Sequence, residues 1–156
     1  MGAKKALTGI IMTVWTFVTM VVIPLSTIGA LERGVVIKGK EVIIRLYNLN
    51  VGLVFVLGII AMMLTAFSYS VSEKNSAFLI MMKYIVVAYY EWVWAVGVRR
   101  MEVIVEGNTL HVGADLGVWI LIVIISSLLS GLLKALHRYM RGKREEEEKK
   151  KGKKKQ

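Results

Sequence analysis

Residues 49–69 read LNVGLVFVLGIIAMMLTAFSY, 21 positions without one charged side chain. An α-helix rises about 1.5 Å per residue, so ~20 apolar residues cover the ~30 Å hydrocarbon core of a bilayer. Three further apolar stretches of that length surround it, at about 6–30, 76–98 and 116–136. The chain has 156 residues, one domain's worth, of which 56% are hydrophobic, and its mean hydropathy is +0.59. A soluble fold of this size needs far more polar cover and cannot bury four such segments at once. The fold class expected is therefore an α-helical integral membrane protein, with four transmembrane helices in an antiparallel bundle.

The links between the spans sharpen this picture. Between the first two lies GVVIKGKEVIIRL, residues 34–46, and between the last two MEVIVEGNTLHVG, residues 101–113. Each pairs two β-branched runs around a glycine, which is a hairpin pattern. Gly39 supplies the positive φ of the first turn, and Gly107-Asn108 is expected to form the second. The turn glycines stand 68 residues apart, so the order helix, hairpin, helix occurs twice and suggests an internal duplication. The short link 71–75 makes the second and third spans antiparallel neighbours.

A lone hairpin is marginal in water, whereas four strands sharing an apolar face can hold. Period-2 alternation gives one apolar set of Val35, Ile37, Val42 and Ile44, and another of Val103, Val105, Leu110 and Val112. Residues 32–46 carry a net +2 and residues 101–115 a net −3. The two hairpins are therefore expected to join in one small extracytoplasmic sheet. The helix–hairpin–helix order, twice over, is similar to the topology of claudin-like four-span proteins. The Trp, Gly-Leu-Trp and paired-Cys signature of those proteins is missing from the first outer loop here, so the similarity is topological.

The net charge of +10 is concentrated at one end. Residues 134–156 hold eleven Lys and Arg against four Glu, and the rest of the chain carries only +3. Basic residues stay on the cytoplasmic side, so both termini are expected in the cytoplasm of a multi-pass cell-membrane protein. The domain division that follows is a four-span unit, 1–142, and a charged tail, 143–156. Glu145, Glu146 and Glu147 each precede a lysine by four positions, a spacing that favours continued helix. Lys134, Arg138, Arg141, Lys143 and Arg144 are candidates for contact with anionic lipid headgroups. A signal peptide competes for the first span, but the stretch exceeds the usual 7–15 residues and Ile28 disfavours cleavage after Ala30. Pro24 is then expected inside a retained helix. Lys and Glu richness with a single Pro and no Cys fits a thermophile.

Several chemistries are excluded at this level. Without cysteine there are no disulfides, thiol nucleophiles or thiolate metal sites. The two histidines, His111 and His137, lie outside the span interiors, which rules out a transmembrane bis-histidine haem. One histidine with Glu102, Glu106 and Asp115 lacks ligand spacing, so no metal and no cofactor is expected. The basic tail lacks interleaved aromatics, so no nucleic-acid partner is expected.

Glu91 is the sharpest single residue. It sits in the outer half of the third span. A carboxylate at the centre of a membrane helix costs ~2.5–3.5 kcal/mol on insertion scales and usually faces protein. Three readings are open: a protonatable or ion-binding group in a polar cavity, a hydrogen-bonded group that locks helix packing, and a group near the outer interface beside Trp92 and Trp94 within reach of water. Tyr84, Ala88, Glu91 and Ala95 share one helical face, and the two alanines leave room for a neighbouring helix. Lys83 is expected to snorkel to the headgroups. Gly9, Thr13 and Thr16 form a small face on the first span, and Ser127 with Gly131 one on the fourth; such faces allow close helix packing.

The expected function is a non-catalytic small membrane protein: an accessory or assembly subunit of a larger complex, or a self-associating scaffold. Its partners would be the bilayer and other membrane subunits or further copies of itself. The alternative is a small oligomeric ion or proton-coupled transporter or channel that uses Glu91, with Tyr84 as a second intramembrane polar candidate.

Overall fold

In a computed structural model, which describes residues 3–113 and 117–153, the chain is mostly helical with one small sheet. Helix α1 (Ala3–Phe17) runs through a π-helical turn (Val18–Val22) into α2 (Ile23–Arg33). Strands β1 (Val35–Ile37) and β2 (Lys40–Arg45) follow, then α3 (Val51–Ser70) and α4 (Glu73–Val98). Strands β3 (Arg100–Val105) and β4 (Asn108–Gly113) precede α5 (Gly117–Lys153). The continuous helix Ala3–Arg33, with α3, α4 and α5, gives four helices long and apolar enough to cross a membrane. Only 11–33% of the most apolar window in each is buried, and many large apolar side chains on these helices are exposed among the described residues. Asp115 and Leu116, where the fourth span was expected to begin, lie outside the described residues. Helix α5 runs on through the glutamates of the tail, and the side chains of Lys149 and Lys151 lie outside the description.

The π turn has a cause in Pro24. Proline has no N–H, so the carbonyl of Met20, four residues back, loses its helical donor. The ladder shifts at this point, and the Ile23 N–H reaches Val18 O. The orphaned Met20 carbonyl accepts instead from the Tyr90 hydroxyl on α4 at 3.0 Å. A buried carbonyl without a partner costs about 1–3 kcal/mol, and here a neighbouring helix supplies the bond. Pro24 thus sits within a helix that continues to Arg33.

The two hairpins form one antiparallel sheet in the order β1-β2-β3-β4. Strands β2 and β3 join them, pairing Val42 with Val105, Ile43 with Ile104, Ile44 with Val103 and Arg45 with Glu102. Residues directly opposite share a face. The rows Val35, Val42, Val105 and Ile44, Val103, Leu110 therefore lie on the apolar side that the alternation marks. Both loops have two residues with φ > 0: Lys38 and Gly39, then Glu106 and Gly107. The second turn is thus Glu106-Gly107, one position earlier than the expected Gly107-Asn108. Positive φ at both loop positions matches the right-handed strand twist, and this places Asn108 in the ladder opposite Val105. Lys40 and Glu106 bridge the hairpins at 3.2 Å.

Helix packing runs in a row, with the first span on α3, α3 on α4 and α4 on α5. Among the described residues no packing of comparable extent joins the first span to α5. The expected four-helix bundle is therefore open along one side, and a furrow over α4 separates its two outer members. Small residues set the spacing. A Cβ added at Gly58 would lie 2.6 Å from Val21 Cγ2 and 2.8 Å from Met20 O, so α3 meets the π turn in backbone contact. On α5 the residues turned to α4 are Ile124, Ser127, Leu128, Gly131, Ala135, Arg138 and Gly142, a spacing of three and four that keeps one stripe inward. The largest apolar core lies in the half of the helices nearer the sheet: Ile28, Leu49, Val54, Leu57, Tyr90 and Val93.

Candidate functional site: the furrow over α4

The half of the furrow nearer the sheet is built around Glu91. Ser127 Oγ donates to Glu91 Oε1 at 2.6 Å, fixing the carboxyl between α4 and α5. Its other oxygen, Oε2, is buried and accepts no hydrogen bond from the protein. One turn on, the Trp94 indole N–H is buried and likewise completes no hydrogen bond. The Tyr90 hydroxyl donates its proton to Met20 and stands with its oxygen, which can still accept, beside that indole. Beside them lies a cavity of about 490 Å³ whose lining includes Thr19 and Pro24 from the first span, Tyr90, Glu91, Trp94 and Ala95 from α4, and Trp119 and Val123 from α5. The cavity has a mainly apolar wall.

Toward the other end the furrow turns basic. A second cavity, of about 380 Å³, is lined by Thr65, Ser68, Lys83, Tyr84, Lys134 and Arg138, among others. Lys83 does not snorkel outward. Its ammonium donates to Thr16 Oγ1 at 3.4 Å, and Thr16 in turn lies 3.4 Å from Thr65 Oγ1. Lys134 bonds the Tyr84 hydroxyl and rests over that ring, 5.0 Å from its centroid. Glu91 and Lys83 have different partners, in keeping with eight intervening positions along one helix.

Beyond it the helix ends are tied together. Glu73, in the first turn of α4, takes Lys5 at 2.9 Å and Arg138 at 3.2 Å, linking the first span, α4 and α5. A carboxylate in the first turn of a helix is also favoured by the helix dipole. Arg138 donates to Ser76 as well and stacks over Tyr69 at 5.0 Å. Lys74 pairs with Glu146 at 2.5 Å, so the α5 extension is held against the α3–α4 link.

The other residues singled out from sequence fall as follows. Gly9 is buried against Tyr69 of α3, and Thr16 is buried on the same side. Thr13 donates to Gly9 O within its own helix. Ala88 is buried on α4, Ala95 lines the Glu91 cavity, and Gly131 sits on Tyr84, where a Cβ would collide with the tyrosine. Among the five basic candidates for headgroup contact, Lys134 and Arg138 have the protein partners described above. Arg141 meets Glu145 at 3.5 Å, while Lys143 and Arg144 are exposed. Among the described residues no three His, Asp or Glu side chains gather to hold a metal ion. His111 stands opposite Glu102 in the sheet.

Sequence reasoning missed Tyr90 and Gly58. The signal for Tyr90 was indirect: Pro24 orphans a carbonyl, and some buried donor has to meet it. For Gly58 the signal was the run Gly58, Ala61, Thr65 and Ser68, small residues three and four apart on one face of α3. Comparison of the chain with family models, curated proteins and solved structures finds no match.

Proposed function

We propose that the chain is a multi-pass protein of the cell membrane with both termini cytoplasmic. In this reading it works as a non-catalytic accessory or assembly subunit of a larger membrane complex, or as a self-associating scaffold. The four apolar helices support the membrane setting, because their exposed surface is large and includes Trp15, Phe67, Phe78 and Leu133. Lipid removes that surface from water at no cost to the fold. The concentration of basic residues at the end opposite the sheet supports the orientation.

The single observation carrying the subunit reading is the sheet. Its apolar row ends in exposed Val35 and Ile37 on one side and exposed Leu110 and Val112 on the other. Strand β4 is an outer strand of six exposed residues without Lys, Arg, Asp, Glu or Pro. Unprotected edges of this kind pair with added strands, a common mode of protein docking. Photo-crosslinking from Leu110 and Val36 in native membranes tests it. A discrete adduct, to one partner or to a second copy, is expected from at least one position. Membrane-integrated protein with no discrete adduct from either would count against a docking role.

A second reading, a small oligomeric ion or proton-coupled transporter or channel, rests on Glu91, a carboxyl within the third apolar helix that lines the furrow cavity. In reconstituted liposomes, that reading requires flux that Glu91→Gln abolishes.

A further inference from the structure

The basic half of the furrow gathers positive charge that the protein does not neutralise. Lys83 of α4 and Lys134 and Arg138 of α5 line one cavity of about 380 Å³, and no Asp or Glu among the described residues joins them in that lining. Neither lysine has a carboxylate partner among the described residues. Lys83 donates only to the Thr16 hydroxyl, and Lys134 only to that of Tyr84. The two amino groups are close enough for their like charges to repel. Glu73 holds Arg138 through Nη1, which also serves Ser76, so the Nε and Nη2 edge of the guanidinium keeps its donors. The Tyr84 hydroxyl accepts from Lys134 and keeps its own proton to give. Lys134 is exposed and Lys83 partly so, and a lysine carries its three donors on a flexible four-carbon stem. The two can therefore close on one group held between α4 and α5.

The depth of the cavity points to the class of ligand. Residues 117–133 of α5 carry no charged side chain, and 17 residues of helix rise about 25 Å, so Lys134 stands near the edge of a ~30 Å hydrocarbon core. Lys83 lies at the same level of α4, next to the Tyr84 that Lys134 meets. An ammonium group at that depth is costly without a counter-charge, and in a bilayer the nearest anions are the phosphates of the headgroups. A carboxylate offers only two oxygens to three cationic side chains. A terminal phosphate offers three oxygens and close to two charges, and two of those oxygens match the free edge of a guanidinium. We propose that this cavity binds a terminal phosphate group between Lys83, Lys134 and the free edge of Arg138. The phosphate can arrive on a lipid, as in phosphatidic acid, or free from the aqueous side. The assignment rests on the membrane setting proposed above and is independent of what docks on the sheet.

The test is native mass spectrometry of the full chain, extracted from the membrane fraction in detergent. The probes are dioleoyl phosphatidic acid, dioleoyl phosphatidylcholine, dioleoylglycerol, oleate and inorganic phosphate. One phosphatidic acid per chain should be retained, about tenfold more tightly than phosphatidylcholine or oleate, and dioleoylglycerol should not be retained. This comparison needs no variant. Lys83→Met and Lys134→Met should each lower the retention of phosphatidic acid about tenfold. Lys4→Gln, which removes an exposed charge at the same end, should stay within about threefold. Lys83→Met removes a charge that no carboxylate balances, so without lipid it should melt no lower than the parent chain. Phosphatidic acid should raise the melting temperature of the parent by a few degrees and leave that of Lys83→Met unchanged. Phosphatidic acid that resists millimolar inorganic phosphate assigns the site to a lipid, and phosphate that displaces it assigns the site to the free anion. Equal retention of phosphatidic acid, phosphatidylcholine and dioleoylglycerol would overturn the proposal. So would oleate bound as tightly as phosphatidic acid, or a loss in Lys4→Gln as large as in the two cavity variants. A chain absent from the membrane fraction would fail the membrane setting itself, before the site is read. Absent sheet cross-links would leave the phosphate site standing.

Discussion

The Tyr90 hydroxyl donates to the Met20 carbonyl at 3.0 Å, replacing the hydrogen bond that Pro24 removes from the first span. One substitution-sensitive bond thus joins the helix break to the centre of α4, beside Glu91. The π turn, the Gly58 contact and the furrow wall all meet at this point.

That relationship makes a double-mutant cycle decisive. Tyr90→Phe should destabilise the protein by about 1 kcal/mol, since hydrogen bonds between membrane helices average roughly 0.6 and reach ~1.7. Pro24→Ala restores an N–H to the first span. In that background the loss from Tyr90→Phe should shrink to a few tenths of a kcal/mol. Equal losses in both backgrounds, measured by reversible unfolding in mixed micelles, would show that Met20 does not need the tyrosine.

The inward stripe of α5 yields a positional contrast. Gly131→Leu drives a side chain into Tyr84 and should cost about 1–3 kcal/mol, the usual range for overpacking. Ser130→Leu, one residue away on the exposed side, should be neutral in detergent. Similar melting temperatures for the two variants would contradict the packing of α4 on α5.

Glu73 is the knot of the opposite end, with a side chain only 11% exposed and two cationic partners. Glu73→Ala takes the shared carboxylate from Lys5, which keeps the Val71 carbonyl, and from Arg138, which keeps Ser76, and should cost about 1.5–3 kcal/mol, in the range of hydrogen bonds to charged groups. Part of that loss should disappear at 1 M salt, where the screening length falls to ~3 Å. Lys40→Ala removes a pair that is more than half exposed on both sides, so its effect should stay within ~0.5 kcal/mol. Equal losses from the two substitutions would remove the special role of Glu73.

Much of this architecture was legible because it rests on period and length. The four spans follow from long, mostly apolar runs, and the joining of the two hairpins in one sheet follows from apolar sets that had to share a face, whereas the register that pairs Val42 with Val105 and Ile44 with Val103 is left open by alternation alone. The second turn was placed one residue late because Gly-Asn and Glu-Gly are both plausible loop pairs, and only the strand register separates them. The open row of helices was not legible, since every span carries apolar residues on more than one face and lipid makes no demand for closure. Glu91 was visible as a polar exception within a helix. Its fixed oxygen, its free oxygen and the indole beside it depend on how α5 approaches, which spacing on α4 alone does not determine.

The membrane setting and its orientation are the centre of the account, and the cysteine-free chain allows a direct measurement. Single cysteines at Gly39 and Asn108, in the two hairpins, and at Lys150, in the α5 extension, are labelled in intact cells with a membrane-impermeant maleimide. Cysteines at the two hairpin positions should label without permeabilisation, and the one at position 150 only after it. Labelling of all three in the soluble fraction, or of the hairpin positions only from the cytoplasm, would contradict the account.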